Sequence, residues 1–323
     1  MIRAGSISGH FDLRVYDAYT GRLTKELSFP NLITDRGLMS YCGNGVQFGT
    51  AYVCVGNGTA APDPLDTTLQ SFLAKSDTSI GGTFNGGYTS PSAPDWISTT
   101  KGTCRFNAGR FDGTTISEIG ITNNQNTNYV WCRALILDAY GAPTTLTILS
   151  NEYLDVTYTL KYHPDLTDTQ FTFELGGTTY QCTSRVAQVN STVFNNSGGS
   201  SPLQRGPLSI LAVYNSQTLG AVTSEPVYSS GGKATLSQPS SASYEPYSSA
   251  TPFTHSSQFN INTTQGNFAG GIGAMLVGNN TYFARGILSK SQISFEPKLP
   301  KDSNTEMRFW LSKTVSRWTA PTP

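Results

Sequence analysis

The sequence predicts an all-β protein whose core is a jelly-roll-like β-sandwich, with a second inserted β module and little helix. Apolar and polar residues alternate along several segments, and this period of two is typical of half-buried strands. The most regular alternation places Leu154, Val156, Tyr158, Leu160 and Tyr162 on one face. Runs of β-branched and aromatic residues are bounded by turn residues, and the chain holds 32 glycines. Helical periodicity is confined to two short segments.

The pattern divides the chain into two modules. Residues 1–164 predict an N-terminal β-sandwich domain, and the C-terminal strands within residues 291–323 complete it. Residues 165–290 predict an inserted β module with long Ser/Gly/Asn-rich loops, because charged residues become sparse there. We expect two terminal strands, at residues 293–295 and 307–311, and both are expected to return to the first module.

The first part of the chain predicts a β-hairpin followed by a helical turn. Residues 11–16 and 23–29 alternate in polarity on either side of a turn at residues 17–21. Thr34 is the predicted N-cap of a short helix that extends through Leu38 and Tyr41, before glycines at positions 43 and 45 end it.

Residues 51–73 predict a strand and a second short helix. The apolar run at residues 51–56 is typical of a buried strand. A proline-containing loop then leads to a helix capped by Asp66, with Leu69, Phe72 and Leu73 on one face.

Strand patterns become dense after a long irregular stretch. Residues 79–103 are rich in Gly, Ser and Pro and predict an exposed loop or an irregular hairpin. Strands resume near residue 104, and residues 138–143 predict a hairpin turn. Residues 152–164 form the clearest predicted strand.

The chain carries very little charge for its size. Charged residues make up 13% of 323 positions, and the formal net charge is zero. About twice that share is usual for soluble domains, so copies of this chain repel each other weakly, which favours packing into an assembly. Neutrality disfavours a nucleic-acid partner. The apolar run at 269–278 is too short to span a membrane, and the N-terminus lacks the apolar core of a secretion signal, which predicts synthesis in the cytoplasm.

Five cysteines occur without Cys-x-x-Cys spacing, at positions 42, 54, 104, 132 and 182. Their odd number and wide spacing favour free thiols buried on strands. A disulfide between Cys42 and Cys54, or an intersubunit pair, is the alternative.

The sequence contains no nucleophile elbow, Walker loop or dinucleotide-binding glycine motif. Paired carboxylates need not be close in sequence, and Glu118 and Glu152 are the first candidates for such a pair. Both follow Ser or Asn in a turn-like context, which favours a carboxylate that caps a loop. No catalytic residue is therefore predicted.

Metal and cofactor sites are likewise not predicted. Asp63 and Asp66 are candidate cation ligands, but helix capping explains Asp66 better. His10, His163 and His255 lie far apart without partners at ligand spacing.

Several aromatic residues fall in predicted loops and are candidates for interface anchoring or for contact with a glycan. The alternative is that they pack against their own loops. They are Trp96, Tyr88, Tyr228, Tyr244 and Tyr247.

Three blocks of the first 165 residues, taken in order, resemble structural proteins of tailed bacteriophages that are associated with the tail, neck, collar or fibre. The first block is "NLITDRGL" and the second is "VGNGTAAPDPLDTTLQ". The third comprises "CRFNAGRFDGTTISEIGI", "CRALILDAYGAPTTLTIL" and "EYLDVTYTLKYHP". The resemblance covers about half of the chain, and residues 165–290 depart from it.

This resemblance implies a virion protein without a catalytic site, built as a β-sandwich and assembled symmetrically with other tail proteins after synthesis in the host bacterium. We expect a homo-oligomer, as a ring or trimer, in the neck, collar or tail. One alternative is a tail-fibre adhesin that binds host glycan through loop aromatics. A polysaccharide depolymerase that uses Glu118 or Glu152 is the third hypothesis.

Overall fold

The computed structural model describes residues 2–39, 51–79, 92–123, 129–190, 208–236, 254–279 and 290–319. Among these residues, 55% lie in strands and 2% in helix, so the predicted all-β, sandwich-like fold is confirmed. The only helix in the described ranges is α1 (Asp35–Met39). The strands in chain order are β1 (Ile2–Asp17), β2 (Leu23–Ile33), β3 (Ala51–Gly56), β4 (Phe72–Lys75), β5 (Ser98–Phe106), β6 (Thr115–Ile116), β7 (Glu118–Asn123), β8 (Val130–Leu135), β9 (Leu146–Thr147), β10 (Glu152–Pro164), β11 (Thr169–Leu175), β12 (Thr178–Ala187), β13 (Leu208–Tyr214), β14 (Lys233–Thr235), β15 (Thr254–Ile261), β16 (Ile272–Asn279), β17 (Lys290–Leu299) and β18 (Met307–Arg317).

The first sheet curls around a single apolar core. Its hydrogen-bonded order is β5-β10-β1-β2-β8-β7-β3-β4, with β18 and β15 branching from the N-terminal half of β1. The predicted hairpin of β1 and β2 pairs Phe11 with Phe29 and Leu13 with Leu27. The alternating residues predicted for β10 are all buried in this core.

The two ends of the curled sheet meet through the residues that follow β4. The Asp77 N–H donates to the Arg105 carbonyl at 2.9 Å, and the Arg105 N–H donates to Thr78 Oγ1 at 2.8 Å. The Asn107 N–H donates to Asp77 Oδ2 at 2.7 Å. These bonds satisfy part of the outer edge of β5, so the sheet is nearly closed along this seam.

One of the two predicted helices forms. Thr34 caps α1 as expected, because Thr34 Oγ1 accepts the Gly37 N–H at 3.0 Å; the expected continuation to Tyr41 lies outside the described residues. The helix predicted after Asp66 is wrong, since Phe72 and Leu73 lie in β4, paired with β3. Ladder hydrogen bonds to β3 outweigh a local helical pattern of only a few residues.

Part of the loop predicted at residues 79–103 is also a strand. Residues 80–91 lie outside the description, but β5 begins at Ser98 and pairs along β10. The hairpin turn at 138–143 is confirmed by the bridge between Leu137 and Pro143.

The second sheet has the order β11-β12-β17-β16-β13-β14, and every pair is antiparallel. Its core contains Phe259 and Ile261 from β15 together with Met307 from β18. The antiparallel pair of β15 and β18 therefore covers the second sheet while it continues the first.

The terminal strands divide between the two sheets. β18 spans both: Lys313–Arg317 pairs in parallel with the start of β1 and Val315 joins the first core, whereas the predicted segment, residues 307–311, pairs with β15 and places Met307 in the second core. Contrary to expectation, β17 pairs with β12 and β16 in the second sheet. Its alternating apolar face, which includes Ile293 and Phe295, fills the second core, and strand pattern alone does not identify the partner sheet.

Candidate functional site

Three connecting segments leave the first sheet from the same end. At this end Asp17 of β1 is opposite Glu152 of β10, and Glu118 of β7 pairs with both Gly56 of β3 and Leu135 of β8. The chain therefore turns at this end after β1, β3 and β8. We call these segments, residues 17–22, 57–71 and 136–145, the turn face.

Each segment of the turn face exposes one large apolar side chain. Tyr19 is 87% exposed, Leu65 is 74% exposed and Tyr140 is 96% exposed. Single exposed apolar residues are ordinary on a protein surface. Tyr19 and Tyr140 lie at the same end of the sheet, whereas the loop that carries Leu65 folds back toward the other end of β2, where the Pro64 carbonyl accepts the Asp35 N–H at 2.7 Å. Two outward tyrosines on separate turns at one end are typical of contacts to another macromolecule.

The first and third segments share the sequence Asp-Ala-Tyr, and in both the aspartate Oδ1 accepts the N–H of the tyrosine. Asp17 Oδ1 accepts the N–H groups of Tyr19 at 3.1 Å and of Thr20 at 2.8 Å. Asp138 Oδ1 accepts the N–H groups of Tyr140 and Ala142, both at 2.9 Å. The hydrogen bonds from the Thr20 hydroxyl and N–H lower the pKa of Asp17. Both turns thus hold a tyrosine outward on a backbone that is already ordered.

The second segment is held by the buried carboxylate of Glu118. Oε1 accepts the N–H groups of Gly58 at 3.0 Å and of Ser71 at 2.7 Å. Oε2 accepts the Gln70 N–H at 3.0 Å and Arg133 Nε at 2.9 Å. A carboxylate has about four acceptor sites, and here each is matched by a donor. Glu118 is therefore a structural group that fixes both ends of the loop.

Arg133 extends this network to the middle of the loop. Its NH1 group donates to Asp66 Oδ2 at 2.7 Å, and its NH2 group donates to the Ala60 carbonyl at 2.9 Å. Asp66 Oδ2 also accepts the Asp63 N–H at 2.8 Å. Asp66 thus caps a turn and pairs with Arg133, and it does not cap a helix. Sequence reasoning missed the role of Arg133. An arginine within the apolar strand β8 is the feature that could have indicated a buried partner for Glu118 and Asp66.

Glu152 is also engaged in structure. Its Oε1 accepts the Thr24 hydroxyl at 2.8 Å, and its Oε2 accepts Lys25 Nζ at 2.8 Å and the Leu149 N–H at 2.9 Å. Burial opposes ionisation, but the Leu149 N–H, Lys25 and Thr24 together lower the pKa of this carboxyl. Glu152 ties the start of β10 to β2, beside the turn face.

Two of the three histidines have described side chains. His10 Nε2 lies 2.7 Å from Ser28 Oγ, and His163 Nε2 lies 2.9 Å from Ser8 Oγ. Within the described part of the chain, no group of three or more His, Cys, Asp or Glu side chains is placed to hold a metal ion. No helix in these ranges is long and apolar enough to cross a membrane.

Of the five aromatic residues predicted to lie in loops, the structure describes two, Trp96 and Tyr228. Tyr228 packs on Tyr214 with ring centroids 5.4 Å apart, and Lys233 Nζ lies 5.4 Å from its ring centroid. Trp96 is half-buried, with a positive φ of 52°. Tyr88, Tyr244 and Tyr247 lie outside the described residues, so a glycan-contact role for them stays a prediction.

Four cysteines are described, and all are buried free thiols: Cys54, Cys104, Cys132 and Cys182. The Cys54 thiol donates to the Gly120 carbonyl at 3.3 Å. Burial raises the pKa of Cys54, and it raises the pKa of Cys104 and of Cys132 to about 12. Cys42 lies outside the described residues, so its suggested pairing with Cys54 stays a prediction.

Comparisons of this protein with family models, with curated proteins and with solved structures find no match.

Proposed function

We propose that this chain is a non-enzymatic structural component of a tailed-phage virion, a neck, collar or tail-associated protein that self-assembles and docks to neighbouring tail proteins. The observation that carries the assembly role is the turn face, where Tyr19, Leu65 and Tyr140 are exposed on turns fixed by hydrogen bonds. The place in a virion rests on the resemblance of the first 165 residues to tail and neck proteins.

The energetics of the turn face favour association. Full burial of one large apolar side chain contributes about 1.5–3 kcal/mol. Association normally loses part of such a gain when loops and side chains become ordered. On the turn face that loss is small for the backbone, because Asp17, Asp138 and Glu118 already fix the three segments.

The charge pattern supports the same role. With a net charge of zero and 13% charged residues, copies at high local concentration experience little mutual repulsion. Contacts through Tyr19, Leu65 and Tyr140 contain few charge pairs, so salt screens them weakly.

The surroundings of Glu118 and Glu152 do not favour a role in glycoside hydrolysis. A glycosidase needs one carboxyl group as a proton donor and a second as a base or nucleophile, both open to the substrate. The Glu118 oxygens are occupied by backbone donors and Arg133, and those of Glu152 by Thr24, Lys25 and a backbone donor.

Electron microscopy of the purified chain tests this proposal. At high protein concentration we expect rings or trimers in negative stain, with the turn face in the contacts between copies or toward a neighbour. Isolated single globules under the same conditions would contradict the assembly role. Cleavage of a bacterial polysaccharide by the natural chain that is lost in the Glu118→Gln or Glu152→Gln variant would also oppose it.

A further inference from the structure

A cleft of about 870 Å³ opens at the junction of the two sheets. It is lined by the start of β1, the end of β10, the end of β18 and two connecting segments, residues 95–97 and 165–167. The second of these connections leads from the first sheet into the second. The volume falls within the range of about 300–1,000 Å³ that small-molecule sites occupy, and such sites favour junctions between modules.

One wall of the cleft is a rigid aromatic platform. The Trp318 indole stacks on the His163 ring, with centroids 4.7 Å apart and an angle of 14° between the planes. The backbone N–H of Trp318 donates to the Ile7 carbonyl at 2.9 Å, and the Ser8 hydroxyl forms a hydrogen bond with Nε2 of His163. Trp318 remains 40% exposed. Its backbone and its stacking partner are therefore fixed while part of the ring stays open to a ligand.

The platform carries no charge at neutral pH. Burial, and then the nearby positive charge of Lys161, lower the pKa of His163 to about 4. The neutral imidazole adds no positive charge of its own beneath the indole, and the Asp95 carboxylate opposes the positive charge of Lys161 there.

The polar groups of the cleft are acidic or hydroxylic. Among the described residues that line it, Asp95 and Asp165 are carboxylates and none is lysine or arginine. Asp165 accepts the Thr167 N–H at 3.0 Å, which fixes its connecting segment. Hydroxyl groups of Ser6, Thr167, Thr314 and Ser316 complete the polar lining.

We propose that this cleft binds a saccharide that carries a free amino group, of the glucosamine type. The apolar face of the sugar ring lies on the exposed part of Trp318. The ammonium group binds the carboxylates of Asp95 and Asp165, and the sugar hydroxyls bind the serine and threonine hydroxyls. The proposal is independent of the assembly role of the turn face, because no described residue that lines the cleft belongs to the turn-face segments.

Each class of lining group selects for one feature of this ligand. An ammonium group near a tryptophan face gains a cation–π attraction, and its hydrogen bonds to carboxylates are charge-assisted. A neutral sugar forms weaker bonds to Asp95 and Asp165, and an acidic sugar is repelled by them. A simple alkylammonium ion makes none of the hydrogen bonds that sugar hydroxyls make to the hydroxyl groups of the lining.

The test is isothermal titration of the full chain with the trisaccharide of β-1,4-linked glucosamine, against its fully N-acetylated form as the matched neutral ligand. The titration is made at about pH 6, where His163 is neutral and the amino groups of the sugar are protonated. We expect the amino form to bind at least about tenfold more tightly than the acetylated form, since one charge-assisted contact supplies about that difference.

Three variants assign the binding to the cleft. Trp318→Ala should abolish binding, and Asp95→Asn, which changes an exposed side chain, should remove the preference for the amino form. Trp310→Ala is the control, because Trp310 is an exposed tryptophan of β18 outside the cleft lining. The proposal is overturned if neither trisaccharide binds, if both bind equally, or if Trp310→Ala weakens binding as much as Trp318→Ala. A change in oligomeric state bears only on the turn face.

Discussion

The Glu118 carboxylate and the Arg133 guanidinium form a buried ion pair, with Nε and Oε2 2.9 Å apart. Glu118 lies on β7 and Arg133 on β8. Their other side-chain hydrogen bonds given above all go to the loop of residues 57–71. The pair therefore transfers the order of the core to a loop of the turn face.

We predict that Glu118→Ala lowers the free energy of unfolding by about 3–5 kcal/mol, because it removes one of the two carboxylates that pair with the buried Arg133 and leaves the Gly58 and Ser71 N–H groups without their acceptor. Urea denaturation followed by circular dichroism measures this change. Glu26→Ala is the control, since Glu26 pairs with Arg14 on the surface, where such pairs contribute about 1 kcal/mol or less. Equal losses in the two variants would contradict the structural role of Glu118.

The cleft histidine predicts a specific loss of stability in acid. A proton binds unfolded histidine near pH 6.5, but it binds His163 in the folded chain only near pH 4. The stabilisation is therefore complete above about pH 6.5 and is lost as the pH falls toward 4. We expect this loss to reach about 2 kcal/mol, after allowance for the water that reaches the half-buried ring.

His163→Phe isolates this effect, because it keeps an aromatic ring against Trp318 and removes the titration. The free energy of unfolding of both proteins is measured between about pH 7.5 and pH 4. The carboxyl groups titrate in both, so their contribution cancels in the difference. A difference that stays constant over this range would show that His163 does not resist protonation.

The buried cysteines predict a sharp contrast between native and denatured thiol reactivity. The thiolate is the reactive form, and Cys104 and Cys132 have pKa values near 12 because they are buried. Iodoacetamide at about pH 8 should leave Cys54, Cys104 and Cys132 unmodified in the folded chain. In guanidinium chloride without a reducing agent all three should be alkylated. Recovery of a peptide that joins Cys42 to Cys54 would establish the disulfide instead.

The seam that closes the first sheet predicts slow amide exchange at two positions. The N–H groups of Asp77 and Arg105 donate across the seam, so both should be protected from hydrogen exchange, as in an interior ladder. Thr78→Val removes the acceptor of the Arg105 N–H, and it should speed exchange at Arg105 while the Asp77 N–H keeps its carbonyl partner. Fast exchange at both positions in the unmodified chain would mean that the seam is open.

Local sequence pattern predicted the strands well, because alternation and turn chemistry act over a few residues. β10 begins at Glu152 and ends at Pro164, as the pattern predicted, and Thr34 caps α1. The turns at Asp17 and Asp138 followed from their Asp and Gly residues. Their shared Asp-Ala-Tyr sequence was visible, but its placement at one end of the sheet depends on strand register.

Long-range pairing accounts for what the sequence did not predict. The partner of β17 is decided by which core its apolar face fills, and the loss of the helix after Asp66 follows from pairing of β4 with β3. The cleft unites residues from near position 5 to position 318. The seam and the Arg133 network similarly join residues distant in the chain.

The measurement that tests the assembly role most directly is sedimentation velocity of the purified chain, at low salt and at molar salt, beside the triple variant Tyr19→Ser, Leu65→Ser and Tyr140→Ser. All three side chains are exposed, so the substitutions should leave the fold intact. We predict an oligomer that persists at molar salt for the natural chain, because apolar contacts are weakly screened, and a smaller species for the variant. A natural chain that sediments as a monomer at high concentration and in both salts would contradict the account.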